Sequence, residues 1–122
     1  MSAVERVDAS KNVFDLRRDL SVEVRARKPG PPERIDGMTV GVVSMSGESP
    51  HDGEMHPDGD EILYVISGDL RISYDSGDAP MELAAGEACI VRKGEWHKVE
   101  CVGEAQFVHI TPGPNGEARF LK

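Results

Sequence analysis

Glu54-Met55-His56-Pro57-Asp58-Gly59-Asp60-Glu61-Ile62-Leu63-Tyr64-Val65-Ile66-Ser67-Gly68 reads as the end of one strand, a tight turn and a second strand. Glu54 and His56 stand two apart, so on an extended chain their side chains share a face. Asp58-Gly59 supplies the turn chemistry that returns Glu61 beside them. With Glu61 pointing inward, alternation sends Leu63 and Val65 inward as well and puts Ile62, Tyr64 and Ile66 on the other face. Both faces are therefore apolar. A strand half exposed to water would alternate with polar residues, so the outer face is expected to lie under the N-terminal arm or a second subunit.

Working outward, the chain from about Asp36 repeats the same rhythm. Runs rich in Val, Ile, Leu and Tyr occupy Met38 to Met45, Glu54 to His56, Glu61 to Ser67, Asp69 to Tyr74, Met81 to Leu83, Ala88 to Arg92, Trp96 to Val102 and Gln106 to Thr111. Glycine-containing breaks separate them, among them Ser67-Gly68, Ala85-Gly86, Lys93-Gly94 and Val102-Gly103. Short strands at this spacing predict an all-β sandwich or barrel. In the run after Trp96, alternation with His97 points Val99 and Cys101 inward and Lys98 and Glu100 outward.

Residues 1–35 differ and are read as an N-terminal arm packing on a barrel of residues 36–122 or on a partner subunit. Asn12 to Leu20 carries a hint of a short helical turn, and Ser21 to Ala26 alternates like an edge strand. Lys28-Pro29-Gly30-Pro31-Pro32 breaks regular structure and reads as a linker crossing the surface.

With 122 residues the chain is the size of one domain. Its 14 basic against 22 acidic residues give a formal charge of −8, which argues against nucleic acid or an anionic membrane surface as partner. There is no apolar run long enough to span a bilayer, and Met1 to Asp8 carries charges where a secretory peptide is apolar; the expected location is cytoplasmic. In that setting Cys89 and Cys101 are expected to be reduced thiols in the core.

A second polar group lies 36 residues beyond Glu61, where Gly86-Glu87-Ala88-Cys89-Ile90-Val91-Arg92-Lys93-Gly94-Glu95-Trp96-His97 places an imidazole just after a glycine turn. Two imidazoles and one or two carboxylates thus come to one end of a barrel. The chain here resembles the cupin family. The first cupin motif runs glycine, five residues, His-x-His, three or four residues, Glu, six residues, Gly; the second runs Gly, five residues, Pro-x-Gly, two residues, His, three residues, Asn. His56, Glu61 and Gly68 fit the first spacing, and Gly86, Gly94 and His97 the second.

The resemblance implies a double-stranded β-helix, or jelly-roll, cupin barrel with a divalent metal on His56, Glu61 and His97. The family's first histidine falls on Glu54, its proline on Arg92 and its last asparagine on Cys101. Glu54 thus occupies a ligand position with a different donor, and the set suits Fe, Mn, Ni or Zn. Without a cation the two carboxylates would repel in one barrel mouth.

Three further residues are candidates for substrate binding: Arg92, a basic group beside the motif; His109, on the last apolar run; and His51, in the loop before His56. An eight-strand closed sheet leaves room for one small ligand, so the expected function is a metal-binding cupin acting on a small polar metabolite. Dioxygenase or isomerase chemistry fits the resemblance; the alternative is a non-catalytic module binding a sugar or organic acid, with or without metal. A homodimer through the Glu61 to Ile66 face, with the arm exchanged, is the expected assembly.

Overall fold

The fold is described from a computed structural model, over residues 3–48 and 53–119. Ten strands run through it: β1 (Asn12–Arg17), β2 (Val22–Ala26), β3 (Gly37–Glu48), β4 (Gly53–Met55), β5 (Glu61–Ser67), β6 (Asp69–Tyr74), β7 (Met81–Ala84), β8 (Ala88–Val91), β9 (His97–Gly113) and β10 (Glu117–Arg119). Every pairing is antiparallel, and no helix occurs among the described residues. The all-β jelly roll expected from the sequence is therefore present.

The sequence breaks its last long stretch at Val102-Gly103, but the structure runs through as β9. The reason is the ladder with β3. Met45 pairs with Ala105 and Ser46 with Glu104, and after one register shift Glu48 pairs with Glu100, so β3 and β9 bend together at Gly47 and Gly103, both at φ +77°, and stay paired on either side of the bend. What changes there is the partner on the other edge. His97 to Cys101 pairs with β6, and Gln106 to Ile110 pairs with β5. β9 is thereby shared by two facing layers. The wide layer has the order β2, β1, β3, β9, β5, β8; the narrow one is β10, β4, β9, β6, β7. Among the described residues the sheet does not close on itself, which corrects the closed eight-strand barrel. β2, β8, β7 and β10 are left as edges.

The core between the layers holds Leu63 and Val65 from β5, Leu70 and Ile72 from β6, and Val99 and Phe107 from β9. Leu63 and Val65 are 2% and 0% exposed, against 40% and 44% for Ile62 and Tyr64, so the alternation read from β5 holds. Burying each such aliphatic side chain stabilises by about 1.5–3 kcal/mol.

Asn12 to Leu20 is not helical. Phe14 pairs with Val40 and with Val24, which fixes strand β1 between β3 and β2. Alternation then buries Val13 and Asp15. The Asp15 carboxylate accepts two hydrogen bonds from Arg25, at 2.8 and 2.9 Å, and one from the Thr39 hydroxyl at 2.9 Å. Sheet pairing on both edges outweighs a weak local helical preference.

The arm therefore widens the sheet instead of covering the outer face of β5. On that outer face Ile90, Ile62, Ile110, Val40, Phe14 and Val24 stand directly opposite one another across all six strands of the wide layer.

Candidate metal centre

Each member of the polar cluster is placed by a different element. His97 opens β9 and pairs directly with Glu54 of β4. Glu61 opens β5 on its buried face. His56 follows β4 in a loop clamped from two sides: its carbonyl oxygen accepts from the Gly94 amide at 3.0 Å, and Asp60 accepts from the Lys93 amide at 2.8 Å. Asp58, in the same loop, accepts from the amide and the side chain of Asn115 at 2.7 and 2.9 Å. The Asp58-Gly59 turn is thus held by side chains as well as by its own backbone preference.

One donor atom from each of Glu54, His56, Glu61 and His97 lies within 4.8 Å of all the others. His56 Nε2 stands 3.5 Å from Glu54 Oε1 and 3.6 Å from Glu61 Oε2; His97 Nε2 stands 3.5 Å from Glu54 Oε1 and 2.8 Å from Glu61 Oε1. Donors held at about 2.1 Å from one ion would be separated by roughly 3.0–3.4 Å, so the spacing suits a shell around a common centre. The donor set itself fits a divalent cation: two imidazoles and two carboxylates satisfy borderline metals such as Fe(II), Mn(II), Ni(II) and Zn(II).

The strongest sign is His56. It is 5% exposed, and neither ring nitrogen has a hydrogen-bond partner. A buried polar group left unsatisfied costs about 1–3 kcal/mol. Its neighbours are otherwise arranged. His97 Nδ1–H donates to the Glu95 carbonyl oxygen at 3.1 Å, which turns Nε2 toward the cluster. Burial opposes charge on His97, but hydrogen bonding to Glu54 and Glu61 prevails and raises its pKa to about 10. Burial likewise opposes charge on Glu54, and the His56 and His97 rings overcome it, holding that carboxyl well below the usual range.

Behind Glu61 runs a chain of hydrogen bonds that the sequence reading did not include. Thr111 Oγ1 donates to Glu61 Oε2 at 2.6 Å, and His109 Nδ1 lies 2.8 Å from Thr111 Oγ1. The hydroxyl's single proton goes to Glu61, so His109 Nδ1 is the donor to it. His109 Nε2 is left as an acceptor on the cavity side, against Gly41. A Cβ at Gly41 would lie 2.6 Å from that nitrogen, so glycine makes the room for the ring. Burial, with Arg34 nearby, lowers the His109 pKa to about 4 and keeps the ring neutral. Thr111 was legible: it sits two residues from His109 on one strand and must share its face.

Glu54, Glu61, His109 and Thr111 line a cavity of ≈ 510 Å³ between the layers. Leu63 and Phe107 form apolar wall, and residues 25–34, from the end of β2 into the proline-rich crossing, form the far side. The segment read as a surface linker therefore borders the cavity. Of the residues singled out in the sequence, Glu54, His56, Glu61, His97 and His109 are brought together. Arg92 is not: its side chain is 73% exposed and pairs with Asp60 at 3.0 Å. His51 lies outside the described residues. Trp96 carries the Arg119 guanidinium 4.2 Å above its ring, away from the cluster.

An antiparallel jelly roll with a His/Glu cluster bordering its inner cavity defines a small all-β domain with a candidate metal centre. The chain belongs to the cupin domain family, whose model matches residues 42–111. A cupin-2 domain containing protein from Shewanella frigidimarina NCIMB 400 shares 30% identity over 67% of this chain and 76% of its own, with a TM-score of 0.56. Protein NMB1881 from Neisseria meningitidis is similar at 22% identity over 71% of this chain and 88% of its own, with a TM-score of 0.53. Bacillus subtilis oxalate decarboxylase shares the fold at 21% identity and a TM-score of 0.57, over 66% of this chain and 23% of its own. No curated protein sequence matches the chain. No helix of the structure is long and apolar enough to cross a membrane.

Proposed function

We propose that this cupin binds one divalent cation through Glu54, His56, Glu61 and His97 and acts with it on a small polar metabolite in the adjoining cavity. The observation that carries the reading is the buried His56 ring, unsatisfied and facing two carboxylates. Bacillus subtilis oxalate decarboxylase holds Mn(II) centres on the same fold, which supports keeping manganese with iron, nickel and zinc among the candidates. When bound, the ion supplies Lewis acidity at the cavity, with redox chemistry added for iron or manganese. The chain's own groups do the rest. Thr111 holds the Glu61 carboxylate at Oε2, and His97, which pairs with Oε1 in the metal-free fold, would turn that same Nε2 to the cation. His109 Nε2, neutral and unprotonated, is placed to accept a hydrogen bond or a proton from a ligand in the cavity. That arrangement fits dioxygenase or isomerase chemistry. A non-catalytic sensor of an organic acid would use the same cavity without turnover.

Elemental analysis of untagged protein is expected to find about one divalent metal per chain, removable by chelator with a drop in melting temperature. Protein purified from several metal-supplemented cultures with less than about a tenth of an equivalent would sink the reading. Oxygen uptake by an iron-loaded sample tests the oxygenase branch, and a zinc or nickel protein without redox response directs attention to isomerisation.

We also propose a cytoplasmic homodimer in which two copies pack through the outer face of the wide layer. The cross-strand row from Ile90 to Val24 supports this, because an apolar patch of this kind is buried when it meets its own copy across a two-fold axis. Tyr64→Glu, 44% exposed on the β5 part of that face, is expected to convert dimer to monomer in light scattering while leaving the fold intact. A wild-type protein that is monomeric at 100-micromolar order concentrations would refute it.

A further inference from the structure

The far side of the cavity carries a guanidinium that makes no hydrogen bond or ion pair with the described residues. Arg34, half-buried between β2 and β3, lines the cavity together with Glu54, Glu61 and His109. Its backbone is pressed against β9: a Cβ on Gly113 would lie 2.5 Å from Arg34 Cβ and 2.5 Å from the Ile35 carbonyl oxygen. The guanidinium has no hydrogen bond and no ion pair among the described residues. Burial works against its charge, and the pull of Glu54 and Glu61 works for it.

The neighbouring charges are already committed. Asp15 takes Arg25 in a two-point pair. A divalent cation would take up the two negative charges of Glu54 and Glu61. Apart from those two, Glu33 is the one carboxylate among the described lining residues, against Arg27, Lys28 and Arg34. Arg27 is held by the Val42 carbonyl oxygen, a neutral acceptor. A metal-loaded cavity is therefore electropositive on the side formed by residues 27–34, and its wall includes Val43, Met45, Leu63, Val99 and Phe107.

We propose that the cavity takes a small carboxylic acid with a compact apolar body, its carboxylate paired with Arg34 across from the His/Glu cluster. Guanidinium matches carboxylate in a planar two-point geometry, and such a charge-assisted pair is roughly twice as strong as a neutral hydrogen bond. His109 Nε2 offers an acceptor for a hydroxyl on that body. The inference rests on the cavity being the ligand site, as in the function proposed above, but the arginine and the metal are separable by experiment.

The probes are isobutyrate and isobutyramide, equal in shape and different in charge, titrated by NMR into zinc-loaded and metal-free protein. Wild type is expected to prefer the acid by about tenfold or more, and Arg34→Gln to lose that preference while binding the amide within about twofold of wild type. Arg34→Lys, which keeps the charge but not the fork, is expected to fall between them. Zinc affinity, measured separately, should be unchanged in Arg34→Gln. Equal binding of acid and amide by wild type, or full acid preference in Arg34→Gln, would overturn the proposal. Should the protein take no metal, the metal reading fails, and the same comparison on metal-free protein decides the arginine: no acid preference there overturns it.

Discussion

Replacing His56 by leucine is expected to remove the stabilisation that a divalent cation gives this protein, with a smaller loss in the metal-free form. The two halves of this result have one cause. In the absence of metal the ring makes no hydrogen bond, so an apolar side chain of similar size forfeits only its attraction to the Glu54 and Glu61 carboxylates at 3.5 and 3.6 Å. With metal, the ring is one donor of four. A cation present at about a thousand times its dissociation constant stabilises the fold by about 4 kcal/mol, which for a domain of this size raises the melting temperature by roughly 10–20 °C. His56→Leu should forfeit that rise in differential scanning calorimetry. A buried histidine kept for structure alone would show the reverse pattern, a destabilised metal-free protein with its metal response intact.

The pH dependence follows from His97. Its pKa is raised to about 10 in the metal-free fold, so the ring carries a proton at neutral pH and must release it to ligate. Metal affinity should therefore climb with pH, by up to about tenfold per unit, and level off only as pH passes the raised pKa. For stability of the metal-free form the sign is opposite. The contribution is complete below the unfolded value of about 6.5 and is lost as pH rises through about 10.

Gly68→Ala is expected to cost about 3–5 kcal/mol in urea denaturation, a large share of a total near 5–15 kcal/mol. Gly68 links β5 to β6 with φ at +76°, a conformation that favours glycine. The added methyl would also lie 2.3 Å from the Glu104 carbonyl oxygen and 2.9 Å from Ala105 Cα. Both are backbone atoms of β9 and cannot swing aside. Gly103→Ala supplies the control: φ is +77°, yet nothing lies within 4 Å of the new methyl. Its cost should be the conformational part alone, about 1 kcal/mol. Equal losses in the two variants would mean that close approach at β9 does not matter.

These residues also mark how far the sequence could be read. Alternation on β5 placed Leu63, Val65 and Glu61 inside because a buried face tolerates no slip of register. Two motif spacings brought His56, Glu61 and His97 to one place, and Glu54 with them, since turn residues and strand parity are local properties. Arg34 was not readable in this way. Its position depends on how ten residues without regular structure cross from β2 to β3, and nothing in Lys28-Pro29-Gly30-Pro31-Pro32 states where such a crossing lands. The helical hint at Asn12 to Leu20 failed for a related reason: its partners, Val24 and Val40, are set by the tertiary sheet and not by neighbours in sequence. Gly103 looks like a turn glycine and serves as a bend within β9, where only the pairing with β3 distinguishes the two.

The sharing of β9 between both layers also bears on how the chain reaches its fold. β3, β4, β5 and β6 are all made before β9 during synthesis, and each takes β9 as a hydrogen-bonding partner. Until residues 97–113 leave the ribosome, β3 has only β1, β5 awaits its central neighbour, and the hairpin of β6 with β7 has nothing on its inner edge. The nascent chain thus carries several open, apolar strand edges at once, and closes them in a late step dominated by distant pairings. Such a topology folds slowly and exposes the growing polypeptide to self-association, so the rate of translation through β9 and the availability of holdase chaperones should govern the yield of native protein.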